Sequence, residues 1–188
     1  AGSLALLEPA LGSSFGIVAT VPPQHMYGLE MSVLMPLLSR ACVHAGRPFF
    51  PAYIAAALAE LPVPRVLVTT PVHLRTLLES AVALPPLAAM VSATAPLAEE
   101  LAALAEQHYG APLFEIFGST ETGVIATRRP AREQVWTPCP GVRLRPQPDG
   151  TLVQAPQLDA PVTLPDIVSL EDRGRRFRLR GRHADLLE

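Results

Sequence analysis

Between residues 15 and 117, short apolar runs alternate with amphipathic segments, and this alternation constrains the fold more than any other feature of the chain. The run Phe15-Gly-Ile-Val-Ala-Thr-Val21 is β-prone and stops at Pro22-Pro23. Leu29, Val33, Leu34, Leu37 and Leu38 then recur at helical spacing across 28–40. An apolar run at 41–45 follows, then a helix over 51–60 opened by Pro51, a strand over 65–70 and a helix over 71–80. Proline in a first helical turn costs nothing, because its missing N–H has no partner there in any case. A second apolar run at 87–92 leads into a helix over 97–109, with Glu99 and Glu100 in its first turn as the helix dipole favours. Residues 112–117 read as one more strand. Such alternation predicts βαβ units, an α/β fold with a parallel-type sheet flanked by helices. Ligands of such sheets bind beyond the carboxyl ends of the strands. The loops Ser92-Ala-Thr-Ala-Pro-Leu97 and Phe117–Thr122 are expected there.

Past residue 130 the helical spacing disappears. Turn signals at Pro140-Gly141, Pro148-Asp-Gly150 and Asp172-Arg-Gly174 separate β-length segments at 142–146, 151–155, 162–168 and 175–180. A small antiparallel β subdomain, or partial barrel, is expected over 129–188, with 129–141 and 155–161 as loops; residues 1–128 form the α/β subdomain.

Composition removes several classes. No apolar run approaches the length of a membrane span, and the N-terminus lacks the basic region of a secretory signal, so the cytoplasm is the expected compartment. A net charge of −2 gives no bulk attraction to nucleic acid. Arg173, Arg175, Arg176, Arg178, Arg180 and Arg182 invite a nucleic-acid reading, but Arg175 to Arg180 reads better as a solvated strand, with Phe177 and Leu179 facing inward on a period of two. No aromatic platform for bases accompanies them. Cys42 reads as a small core residue and Cys139 as a loop residue between prolines, and nothing has zinc spacing. All 15 basic residues are arginine, so the chain has no lysine.

The chemistry concentrates in Phe114-Glu-Ile-Phe-Gly-Ser-Thr-Glu-Thr-Gly123. A ring offers a flat face to a base, hydroxyls offer donors to a phosphate, and a carboxylate suits Mg²⁺. Taken alone, the same residues also make an ordinary polar turn, and Glu121 also suits a local amide cap. No Gly-Lys-Ser/Thr loop and no Gly-x-Gly-x-x-Gly is present, which argues against a P-loop enzyme or a dehydrogenase.

Phe117-Gly-Ser-Thr-Glu-Thr-Gly123 resembles the Tyr/Phe-Gly-x-Thr-Glu signature of the adenylate-forming (AMP-binding) enzymes, among them the acyl- and aryl-CoA synthetases. Ser92-Ala-Thr-Ala-Pro96 is similar to their Ser-Gly-Gly/Ala-Ala-Pro loop, Gln24-His25-Met-Tyr-Gly28 to their Pro-x-x-His-x-x-Gly segment, and Asp166 to their Thr-Gly-Asp aspartate. Gly181-Arg182-His-Ala-Asp185 resembles the Gly-Arg-x-Asp hinge. The resemblance implies that Phe117 stacks on adenine, Thr120 bonds the α-phosphate, Glu121 holds Mg²⁺, and His25 borders the acid's carboxylate. It implies that Ser92, Ala93, Thr94, Ala95, Pro96, Glu115, Ile116, Gly118 and Ser119 line the nucleotide. Asp166 and Arg182 would hold the ribose, with Arg182 also near the phosphates. ATP or AMP and Mg²⁺ are the implied cofactors. A small carboxylic acid is the substrate, and CoA or a phosphopantetheine-bearing acyl carrier protein is the thiol acceptor.

The sequence departs from the family at Ala93 and Thr94, and at the hinge, where the acid stands at Asp185 with Ala184 before it. The resemblance covers the latter part of the family's large N-terminal domain, without the lysine-bearing phosphate loop or the C-terminal catalytic lysine. The isolated chain is therefore expected not to adenylate, and its cut edges to expose apolar surface that leads to a homodimer or to aggregation. The alternative is a non-catalytic adenylate- or acyl-binding module acting with a partner.

Overall fold

The computed structural model describes residues 11–182 apart from Ser13. Its frame is a seven-stranded sheet in the order β2-β1-β3-β4-β5-β6-β7. The strands are β1 (Gly16–Ala19), β2 (Cys42–Val43), β3 (Arg65–Thr69), β4 (Ala89–Ser92), β5 (Leu113–Ser119), β6 (Gly123–Arg128) and β7 (Thr137–Pro138). The pairs from β2 through β5 are parallel, and β6 and β7 add on antiparallel.

Each face of the sheet has its own helices, because each buried strand is apolar on both sides. Helix α1 (Met26–Leu29) runs through a π turn (Glu30–Leu34) into α2 (Met35–Leu38), and covers the face of Ile17, Ala19, Val66, Val68 and Val91. Helices α3 (Pro51–Glu60), α4 (Pro71–Glu79) and α5 (Glu99–Tyr109) cover the face of Val18, Leu67, Met90 and Leu113. The helix read over 28–40 is thus shorter and irregular. Pro36 has no N–H to give and its ring crowds the preceding turn; the wider turn, in which the Met35 N–H reaches the Glu30 carbonyl, accommodates it.

Two further strand groups follow. β8 (Arg143–Gln147), β9 (Gly150–Gln154) and β10 (Val162–Leu164) form a three-stranded antiparallel sheet, and β11 (Asp166–Glu171) pairs with β12 (Arg176–Arg182) as a hairpin. Their shared core of Val153, Leu164, Val168 and Phe177 includes Ile125, Ala126 and Trp136 from the large sheet and the loop after β6.

Two expectations are corrected. Cys42 is exposed rather than buried, because β2 is a two-residue edge strand with β1 on one side. Phe117 to Ser119 belong to β5 rather than to a loop, and the chain turns only over 120–122 before returning as β6. Gly123 takes φ +65°, which permits the tight return. β6 escapes a reading by turn signals because no proline or charge separates it from the signature.

No helix among the described residues is long and apolar enough to cross a membrane.

Candidate functional site

The apolar face under α3, α4 and α5 ends in a polar row. Thr69 and Ser92 lie two residues beyond Leu67 and Met90, and Glu115 two beyond Leu113, so a period of two keeps them on the same face. They pair in register across β3, β4 and β5, and the Thr20 hydroxyl joins the row by donating to Thr69 Oγ1 at 3.2 Å. All four are buried. Above this row, at the carboxyl edge of the parallel strands, opens a cleft of about 1170 Å³.

Its walls come from segments far apart in sequence. The chain leaving β1 gives Thr20 to Pro22 and His25, the chain leaving β3 gives Thr70 and His73, and the chain leaving β4 gives Ala93 to Pro96. β5 and its turn give Glu115 to Thr120, and the far wall is Asp166, Arg178 and Gly181 of the β11–β12 hairpin. Glycines make two of these walls. A Cβ on Gly28 would lie 2.0 Å from the Pro22 carbonyl oxygen, so Gly28 lets the Pro22–His25 turn fold back and carry His25 to the cleft. A Cβ on Gly118 would lie 2.0 Å from the Gly123 oxygen, at the bulge between Phe117 and Gly118.

The turn after Gly118 is held by Thr122. Its buried Oγ1 accepts the Ser119 N–H at 3.1 Å, and its carbonyl accepts Gln157 Nε2 at 2.9 Å. Thr120 and Glu121 are left exposed at the tip. A hydrogen bond from Ser119 holds the Glu121 carboxyl below its ordinary range. Thr120 lines the cleft, whereas Glu121 stands outside its wall.

Glu115 sits at the back. One carboxylate oxygen accepts the Leu97 N–H at 2.9 Å and the other accepts Arg128 Nε at 2.6 Å. Burial pushes this carboxyl up, against the opposing pull of Arg128 and the Leu97 amide. Across the cleft, His73 Nδ1 lies 2.7 Å from Thr20 Oγ1, and its ring meets Phe49 edge-on at 5.8 Å. Burial lowers the His73 pKa and favours neutral imidazole.

Of the residues singled out in the sequence, His25, Ala93, Thr94, Ala95, Pro96, Glu115, Ile116, Phe117, Gly118, Ser119, Thr120 and Asp166 share this one cleft. Ser92 lies beneath it, with its buried Oγ lacking a hydrogen-bond partner. Arg182 ends β12 opposite Asp166 in register. Its side chain, and the hinge residues His183, Ala184 and Asp185, fall outside the described residues. Sequence reasoning missed Thr20, His73, Arg128 and Trp136. Nothing local marks Thr20 and His73, whose contact spans 53 positions, or Trp136, whose bridge partner is Phe177.

A mostly parallel sheet with helices on both faces, joined to antiparallel β elements across such a cleft, is the large-domain architecture of the adenylate-forming enzymes. The chain belongs to the AMP-binding enzyme family, whose model matches residues 5–152. Solved structures agree in fold. O-succinylbenzoate Coenzyme A Synthetase (MenE) from Bacillus subtilis, in complex with ATP and magnesium ion, superposes with a TM-score of 0.79 at 16% identity, covering 97% of this chain and 45% of that one. A benzoate CoA ligase from Burkholderia xenovorans LB400 gives 0.76 at 21%, covering 100% and 45%. Apo MatB from Rhodopseudomonas palustris gives 0.76 at 18%, covering 96% and 43%. The chain thus spans under half the length of these structures. A search of the curated proteins gave no match.

Proposed function

We propose that the cleft is the adenylate site of an AMP-forming acid–thiol ligase, which activates an acyl or aryl acid and passes it to a CoA or carrier-protein thiol. The observation that carries this reading is the convergence of Phe117, from the large sheet, and Asp166, from the separate hairpin, on one cleft. The residues present fit a nucleoside. Ala93, Ala95 and Gly118 leave space against the backbone, Phe117 offers its ring, and the Asp166 carboxylate suits the vicinal hydroxyls of a ribose.

In the activation step an acid carboxylate oxygen, guided by His25, attacks the α-phosphorus of ATP; the new P–O bond forms as the bond to pyrophosphate breaks. Thr120 donates to the α-phosphate as charge develops there. In the second step a thiol sulfur attacks the acyl carbon, its proton is lost, and AMP leaves. Mg²⁺ arriving with ATP would neutralise phosphate charge, and Glu121, ionised at the exposed tip beside Thr120, would reach in from outside the cleft wall to hold it. A single protein carboxylate is in keeping with this ion, which retains waters and phosphate oxygens as its other ligands. Residues 1–128 then act as the nucleotide- and acyl-binding subdomain, and 129–188 as the β-rich subdomain leading to the hinge. The cytoplasm, where thiols stay reduced, is the expected compartment.

A non-catalytic module that binds adenylate or acyl groups beside a partner uses the same cleft, and the absence of lysine favours that reading for the chain by itself. Calorimetry with AMP tests the site common to both. Phe117→Ala and Asp166→Ala are each expected to weaken binding by about 1–3 kcal/mol. Affinities equal to the unsubstituted chain in both variants would remove the site.

A further inference from the structure

Trp136 is the one tryptophan of the chain, and it lies where the two walls of the cleft meet. Its backbone N–H donates to the Phe177 carbonyl at 2.8 Å, and the Phe177 backbone N–H donates to the Trp136 carbonyl at 3.0 Å. This isolated bridge ties the hairpin that bears Asp166 to the chain linking β6 and β7 of the large sheet. The side chains repeat the tie. The Trp136 and Phe177 rings stack at an interplanar angle of 16° with centroids 6.3 Å apart. Phe117 closes the triangle, 5.5 Å from Trp136 and 6.1 Å from Phe177.

A third group fixes the tryptophan from outside. The Arg128 guanidinium lies 4.7 Å over its ring, while Arg128 Nε donates to Glu115 at 2.6 Å and Nη1 donates to Gln134 at 2.6 Å. One guanidinium therefore grips the strand before Phe117 and the loop that delivers Trp136. Trp136 and Phe177 are buried and Phe117 is half-buried against them, so the rings behind it narrow the rotamers open to Phe117.

We propose that Trp136, braced by Arg128, is a positioning residue that sets the Phe117 ring and latches the Asp166 hairpin to the sheet, so that both walls of the cleft meet a ligand as one rigid unit. The ligand part of this proposal rests on the adenylate-site reading above; the latch part does not. A residue of this kind acts by pre-organisation, sparing the ligand the cost of ordering two independent walls.

The test uses the 188-residue chain, with AMP as probe, and pairs calorimetry with amide hydrogen exchange. Trp136→Ala is expected to lower AMP affinity about tenfold. It should also speed exchange across the β11–β12 hairpin while β3 and β4 keep their protection. Trp136→Phe, which retains a stacking ring, is expected to restore both readouts, whereas Trp136→Leu, with bulk but no ring, is not. Should Trp136→Ala fail to fold, Phe against Leu at this position decides the matter. Equal affinity and equal hairpin protection in those two variants would overturn the proposal. A native chain that does not bind AMP would instead count against the adenylate reading. The latch would then stand or fall on the exchange data alone.

Discussion

Thr94 is a β-branched residue at φ +81°, in the left-handed region where its side chain crowds the backbone. It sits in the loop after β4 and lines the cleft. Such a conformation costs on the order of 1–3 kcal/mol, and it persists because the loop is pinned on both sides. Leu97 N–H is anchored on the Glu115 carboxylate and Ser92 is locked in the sheet. Thr94→Gly removes the crowding at the expense of about 0.5–1 kcal/mol of added chain entropy. The variant is expected to gain about 1 kcal/mol net, read in urea as a higher midpoint with an unchanged slope. An unchanged or lower midpoint would mean that the threonine is held without strain. The departure at 93–94 was visible in the sequence; its backbone angle was not, because a positive φ follows from where both ends of the loop are fixed.

The elements that carry the site differ in how far the sequence disclosed them. α3 stands at 51–60 as read, since Pro51 opens it and nothing within it competes. β5 overran its expected end, because Gly118 and Gly123 resemble turn residues yet serve as a bulge and a hairpin return. Contacts between elements were beyond reach: His73 on α4 bonds Thr20 across 53 positions of sequence. That contact has a consequence in solution. Burial depresses the folded pKa of His73 below its ordinary 6.5. The unfolded chain therefore binds the proton more readily than the folded one. The stabilisation is fully present above that ordinary value and is lost as pH falls through the lower folded value. Melting temperatures taken between about pH 8 and 5 should fall more steeply for the native chain than for His73→Asn. Parallel curves would show that the imidazole is as free in the fold as out of it.

At the scale of the molecule, two bodies of strands had to meet for the site to exist. The resemblance of Phe117 and Asp166 to a family motif anticipated the meeting, but periodicity could not, since it describes each segment by itself. The surfaces of the assembled chain now bear on what the cleft can do. Adenylation develops negative charge between the attacking carboxylate and the α-phosphate, and a positioned cation must oppose it in the transition state. The chain contains no lysine. Among the described residues, the arginines that line the cleft are already engaged: Arg128 with Glu115 and Gln134, Arg178 with Glu171, and Arg180 with Ser169 Oγ. Swinging one toward phosphate would break a bond that holds a wall in place, and for Arg128 would strand a buried carboxylate. Ground-state recognition needs no such movement. Binding and turnover should therefore separate, with AMP taken up by the isolated chain while acid and Mg·ATP release no pyrophosphate above the buffer rate. A coupled pyrophosphate assay across a panel of acyl and aryl acids measures this directly. Steady turnover with any of them, abolished by Phe117→Ala, would show that an arginine or water network in this cleft supplies the missing charge.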